Sequence, residues 1–123
     1  MGNTAKTIRV AASDAPAVEA AGEWGSAVSL ANKALSGSSI SVIRMLLHPR
    51  HSGRKHRHAN ADEVICLTRG QVRVQAGDET QALQPGDSLS IPAGLVHQIE
   101  NVGSDNAEMM IAYSTGEREY AAE

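Results

Sequence analysis

Four metal-competent side chains fall at strand spacings in this chain and restrict its fold more than any other feature: His56 and His58, then Glu63, then His97. A strand projects alternate side chains to one face, so His56 and His58, two apart, can both reach inward from one extended segment. Glu63 lies past a four-residue turn, 59–62, and opens an apolar run, 64–67, that reads as the next strand. His97 follows Pro92 and Gly94, where proline ends strand pairing and glycine permits a turn that a side chain would forbid. Three imidazoles and one carboxylate can therefore converge. Such a donor set suits one divalent transition metal, whether iron, manganese, zinc, nickel, cobalt or copper, and leaves positions for water or substrate on an octahedral ion.

The rest of the chain supplies short strands to carry these ligands. Candidate strands span 8–10, 27–30, 40–47, 64–69, 71–76, 80–83, 88–91, 96–101 and 108–113, and the gaps hold Gly37, Pro49, Gly77 with Asp78, Pro85 with Gly86, and 103–106. Strands this short and evenly spaced predict an all-β sandwich or barrel. With 123 residues the chain forms one domain, near the size at which a second copy commonly adds buried area, so a homodimer is expected. Phenylalanine is absent and the aromatics are Trp24, Tyr113 and Tyr120, so the core must be aliphatic. The stretch 14–21 is alanine-rich and suits either a turn of helix, with Pro16 confined to its first turn, or an arm lying across a partner. The charged end, 116–123, is expected to fray.

The spacing of the ligands and turn residues resembles the two motifs of the cupin family. In the first motif, His56-Arg57-His58, four residues, Glu63, six residues and Gly70 match; Arg50 stands where the opening glycine belongs, and Gly53 is expected to serve that turn in a differently shaped loop. The second motif is met at every position by Gly86, Pro92, Gly94, His97 and Asn101. A histidine by itself is more often a surface or hydrogen-bonded residue than a ligand; four ligand types in register with turn glycines are a different matter. The resemblance implies a single cupin (jelly-roll) β-barrel over 40–113, with an N-terminal arm and first strands over 1–39 and a tail over 114–123. It also implies the ligand set His56, His58, Glu63 and His97.

A second concentration of charge lies beside the first motif. Arg44, Arg50, Arg54, Lys55 and Arg57 accompany four of the five histidines, and no acidic residue falls between Glu23 and Asp62. This local positive field would draw an anionic substrate towards the metal, although each arginine alone could simply point to water. Arg57 must face away from the two ligands that flank it. Arg44, a charge within an apolar strand, is the candidate substrate clamp. His48 and His51 read as ordinary loop residues. Tyr113 could offer a hydroxyl to the site or serve in packing. The predicted pocket wall, Ile65, Leu67 and Ile99, is aliphatic and contains no general base, which leaves Glu63 as ligand and catalytic carboxylate. Cys66 has the opposite parity to Glu63 and faces outwards.

The net charge of −3 and the want of aromatics among the basic residues argue against nucleic acid as a partner. No apolar run approaches twenty residues, and the first ten residues lack the apolar stretch of a signal peptide, so no membrane association and a cytoplasmic location are expected. One cysteine cannot form an internal disulfide, in keeping with a reducing compartment. With Glu63 ionised and the histidines neutral, a divalent ion would leave a site of roughly +1, still attractive to anions. The family resemblance then implies a metal-dependent enzyme acting on a small oxygenated, anionic molecule chelated to the metal, with a dioxygenase foremost. A Lewis-acid isomerase, cyclase or lyase is the alternative, followed by a non-catalytic small-molecule-binding module. Fold alone does not choose among them.

Overall fold

In the computed structural model, residues 5–123 are described; the first four residues of the segment read for targeting lie outside them. The strands are β1 (Gly25–Ala31), β2 (Ser41–Leu47), β3 (His56–Arg57), β4 (Glu63–Arg69), β5 (Val72–Ala76), β6 (Glu79–Leu83), β7 (Ser88–Ile91), β8 (His97–Asn101), β9 (Ala107–Tyr113) and β10 (Ala121–Ala122). They form two antiparallel five-stranded sheets, ordered β1-β2-β9-β4-β7 and β10-β3-β8-β5-β6, which is the all-β jelly-roll arrangement. One helical turn, α1 (Lys33–Ser36), begins where the Asn32 side chain caps the Leu35 amide and ends at Gly37 in a left-handed conformation. Among the described residues no helix is long and apolar enough to cross a membrane.

Alternation places the core between the sheets. In β9 the burial is strictly periodic, with Ala107, Met109, Ile111 and Tyr113 buried, and β4 buries Glu63, Ile65 and Leu67 while Cys66 is exposed. Leu47, Val72, Val74, Ile91 and Ile99 complete an aliphatic interior. Several departures from the sequence reading have physical causes. Residues 8–10 form no strand, since their short apolar alternation finds no sheet edge. The 14–21 stretch is not helical: a 3-10 turn covers Ala12–Asp14, and beyond Pro16 the chain pairs with β1 of its own barrel, Val18 donating to the Ala27 carbonyl and the Pro16 carbonyl accepting from Ser29.

Two further corrections bear on the site. Arg50 itself adopts a left-handed φ of 65°, whereas Gly53 is not among the left-handed residues. The loop thus keeps the backbone shape that a glycine would give, and an arginine tolerates the strain. The tail is also ordered: β10 pairs with β3, Ala122 opposite His56. Charged residues there are tied down by backbone pairing that composition does not reveal.

Candidate metal centre

His97 opens β8 and pairs directly with His56 of β3, while Glu63 opens β4 and pairs with Tyr113 of β9. Each ligand thus sits at a strand end, where the register carries it to the same mouth of the barrel. One ligand atom from each of His56, His58, Glu63 and His97 lies within 4.8 Å of all the others. The Glu63 carboxylate oxygen Oε1 is 3.2 Å from His58 Nε2 and 3.1 Å from His97 Nε2, and His56 Nε2 lies 3.1 Å from His58 Nε2.

The other ring nitrogen of each histidine decides what these inner atoms are. His56 Nδ1 meets the Arg54 carbonyl at 2.7 Å, His58 Nδ1 the Glu119 carbonyl at 2.7 Å, and His97 Nδ1 the Leu95 carbonyl at 2.9 Å. A carbonyl only accepts, so each Nδ1 carries a proton, and a ring in its neutral form then turns the lone pair of Nε2 inwards. Three nitrogen lone pairs and a carboxylate oxygen then face one another with little to donate between them. Glu63 Oε1 and His97 Nε2 are buried without a well-formed hydrogen bond despite their closeness. Buried acceptors left facing each other are costly, and a cation between them removes the conflict. The residues therefore fit a divalent metal, with the carbonyls fixing ring tautomer and orientation.

Without an ion, electrostatics pulls the groups of this centre in different directions. Burial opposes ionisation of Glu63, but His58 and His97 outweigh it and hold the carboxyl down at about 2. Burial pushes the His56 pKa down, favouring the neutral ligand form. For His97 burial acts in the same direction, but the Glu63 carboxylate prevails and raises the pKa. Burial and the Glu63 charge push the Tyr113 phenol far above its ordinary value, so it stays protonated.

The remaining motif residues are structural. Asn101 donates from Nδ2 to the carbonyls of Leu47 and Asp105 and accepts from the Gly103 amide, which locks the end of β8. Gly70 has φ 85°, and a Cβ there would lie 2.7 Å from the Asn106 carbonyl oxygen.

Arg44 is not a clamp. It is exposed, with the parity opposite to that of Ser41, Ile43 and Met45, and so projects from the outer face of the sheet. Strand alternation overrides the idea that a charge in an apolar strand needs an internal partner. Of the basic segment, Arg54 lines the cavity beside the metal site, and Arg57 lies 3.9 Å from Glu123 on the other side. His48 Nδ1 bonds the Glu23 carbonyl, an ordinary loop contact. Tyr113 packs edge-on to His58, ring centroids 4.9 Å apart.

The C-terminal strap is the part of the site that the sequence hides. Its Glu119 carbonyl orients His58, Tyr120 stacks on His56 at 4.7 Å, and Arg118 lies 4.7 Å over the Tyr113 ring. Asn60 clamps the strap, donating to the Glu117 carbonyl and accepting from the Glu119 amide. No short motif marks these contacts, which join residues about sixty positions apart.

The cupin domain profile matches residues 43–113. The chain belongs to the cupin family. Among curated relatives this cupin is 31% identical to Germin-like protein 1 of Brassica napus over 87 residues, 67% of this chain and 42% of that protein. It is 28% identical over 69 residues to the Streptomyces cyaneus protein named Polyketide synthase CurC, covering 56% of this chain and 45% of the relative. The chain spans about two fifths of the length of the germin-like relatives it matches. Among solved structures, oxalate decarboxylase of Lactobacillus farciminis in a formate complex superposes with a TM-score of 0.81 at 19% identity, over 89% of this chain and 34% of that one. A recombinant oxalate oxidase bound to glycolate gives 0.74 at 19% identity, over 84% of this chain and 59% of that one. At such identities these structures speak to the fold.

Proposed function

We propose that this cupin is a metal-dependent enzyme that binds a small oxygenated, anionic molecule through its oxygens and oxidises it with dioxygen. The observation that carries the reading is the meeting of three oriented Nε2 lone pairs and one ionised carboxylate beside an open cavity. His56 and His58 line that cavity, so a ligand reaches the centre from their side. When bound, a divalent metal would stabilise negative charge developing on a chelated substrate and, if redox-active, carry electrons towards dioxygen.

The chain's own residues set the conditions. Carbonyls of Arg54, Leu95 and Glu119 keep the three imidazoles in the coordinating tautomer. Glu63, ionised across the neutral range, reduces the charge of the centre and leaves it attractive to an anion. Arg54 and Arg118 border the cavity and favour a carboxylate at its rim. Tyr113, protonated and buried against His58, can hold a proton at its phenolic oxygen without taking part in charge transfer. The fold neighbours named as oxalate oxidase and oxalate decarboxylase, with glycolate and formate as ligands, support small oxygenated acids as the class.

The test is elemental analysis of untagged protein purified without added metal, followed by oxygen-electrode assays with 2-hydroxy acids, 2-oxo acids and 1,3-diketones. The expected result is near-stoichiometric iron, manganese or copper and oxygen uptake that depends on it. Turnover without oxygen uptake would replace oxidation by isomerase, cyclase or lyase chemistry at the same centre. Protein that holds no metal and takes none up would overturn the enzyme reading and leave a binding module.

A further inference from the structure

The cavity beside the metal centre is far larger than a two-carbon acid needs. Open to solvent on one side, it offers about 1050 Å³, slightly above the ~300–1,000 Å³ usual for sites that bury drug-sized ligands. Strand register explains its shape. Glu63 pairs with Tyr113, and Tyr113 with Ser41, so the ligand end of the first sheet continues sideways into β2. There the space opens because β1 lines it with Ala27, Ser29 and Ala31, none of them large, a register shift after Ser29 bringing Ala31 opposite Val42. By contrast Ile65, Ile111, Leu67 and Met109 fill the same levels of β4 and β9 and leave no room.

The lining is mixed in polarity. Towards β1 its wall includes the apolar Trp24, Ala27, Ile43 and Met45 together with the small hydroxyls of Ser29 and Ser41, and His56 and His58 also line it. The strap forms a roof that is tied down at three places. The Gly116 carbonyl accepts from the Lys33 amide, Asn60 holds Glu117 and Glu119, and β10 pairs with β3. Gly116 is needed for this closeness, since a Cβ would meet the Ser38 carbonyl oxygen at 2.1 Å.

We infer that the substrate has two parts: an oxygenated, chelating head at the His56–His58 end and an apolar body, ring-sized or larger, lying over Ala27, Ile43, Met45 and Trp24. The inference rests on the proposed metal-dependent function and extends it to a substrate class. The small residues Ala27, Ser29 and Ala31 leave Trp24, Ile43 and Met45 lining open space, and a hydrophobic body covering that wall is stabilised by about 25 cal/mol for each Å² removed from water. A two-carbon acid would leave this wall wet. The head chelates while the body selects.

Malonate and benzylmalonate test this, for they share one dicarboxylate head and differ by an apolar ring. Their binding to protein loaded with one equivalent of Co(II) is measured by calorimetry, by the visible Co(II) spectrum and by emission of Trp24, the single tryptophan of the chain, which lines the cavity. Both ligands are expected to perturb the Co(II) spectrum. Benzylmalonate is expected to bind at least roughly tenfold more tightly and alone to shift Trp24 emission. Ser29→Phe, which fills the space beside Ile43, is expected to remove the preference while metal content and malonate affinity stay unchanged. Should that variant fail to fold, Ala31→Leu, at a half-buried wall position, serves instead. Equal affinities for the two ligands would overturn the inference and leave the metal-dependent function standing. A protein that holds Co(II) but binds neither ligand would overturn both.

Discussion

The two halves of the ligand set are held in different ways. Glu63 and His97 each begin a strand of at least five residues paired on both sides, whereas burial does not separate the halves, since His58 is 2% exposed as they are. His56 and His58 belong to a two-residue strand and the loop beyond it, and are oriented by the Arg54 carbonyl on one side and the Glu119 carbonyl of the strap on the other. The first pair inherits its geometry from the barrel itself. The second depends on a segment that must fold back across the mouth. Rigidity in one half and dependence on a strap in the other mean that an ion bound by all four would be held by elements of unequal stability.

Removing a ligand from the rigid half should have the largest effect. His97→Ala should abolish stoichiometric metal binding, since the loss exceeds the roughly 10–100-fold that removal of an orienting partner brings. Circular dichroism should still show the barrel, because Ile65, Leu67, Met109 and Ile111 form the core away from His97. Retention of full metal content would break the comparison by showing that the ligand set is wrong.

Deleting 117–123 should come next. It removes the Glu119 carbonyl from His58 and the Tyr120 ring from His56 and leaves Glu63 and His97 untouched. Metal affinity, measured by competition with a chelating dye, should fall roughly 10–100-fold, with little change in thermal stability. Asn60→Ala, which frees the strap without removing it, should give a smaller loss in the same assay.

Acid should act through the histidines. In the metal-free protein His97 has a pKa raised above 6.5, so its coordinating form is lost as pH falls through that raised value, whereas the lowered His56 persists to more acid pH. Glu63, at about 2, stays ionised throughout. Metal affinity should therefore decline as pH falls through the raised His97 value, by roughly tenfold per pH unit for each proton taken up. A decline confined to pH 2–4 would assign control to the carboxylate instead.

The smallest effect is expected at Arg50. Its φ of 65° costs a non-glycine residue about 1–2 kcal/mol, and glycine returns about 0.4–1 kcal/mol of that through a freer unfolded chain. Arg50→Gly should raise stability by about 0.5–1 kcal/mol in urea titration and leave metal affinity unchanged. A fall in stability would show that the loop relies on the arginine side chain.

These differences mirror what could be read from the sequence. His56, His58, Glu63 and His97 were legible because strand alternation and turn glycines act over a few residues, and β4, β7 and β9 appear at the expected places for the same reason. Arg44 is not legible in the same way, because its apolar neighbours suggest an inward charge while the parity of β2 turns it out. An arginine in place of the motif glycine suggests a change of loop shape, yet Arg50 takes up the left-handed conformation that glycine favours.

By itself the sequence determined that the chain is all-β and that three imidazoles and a carboxylate share one site, since both follow from local periodicity and from donor chemistry. Only the tertiary structure decided which nitrogen of each histidine faces the centre, that 114–123 closes over it, and that small residues on β1 leave a wide cavity beside it. Those outcomes depend on contacts between segments far apart in the chain, such as Glu119 with His58 and Tyr120 with His56, whose formation rests on the folded barrel and on no local preference.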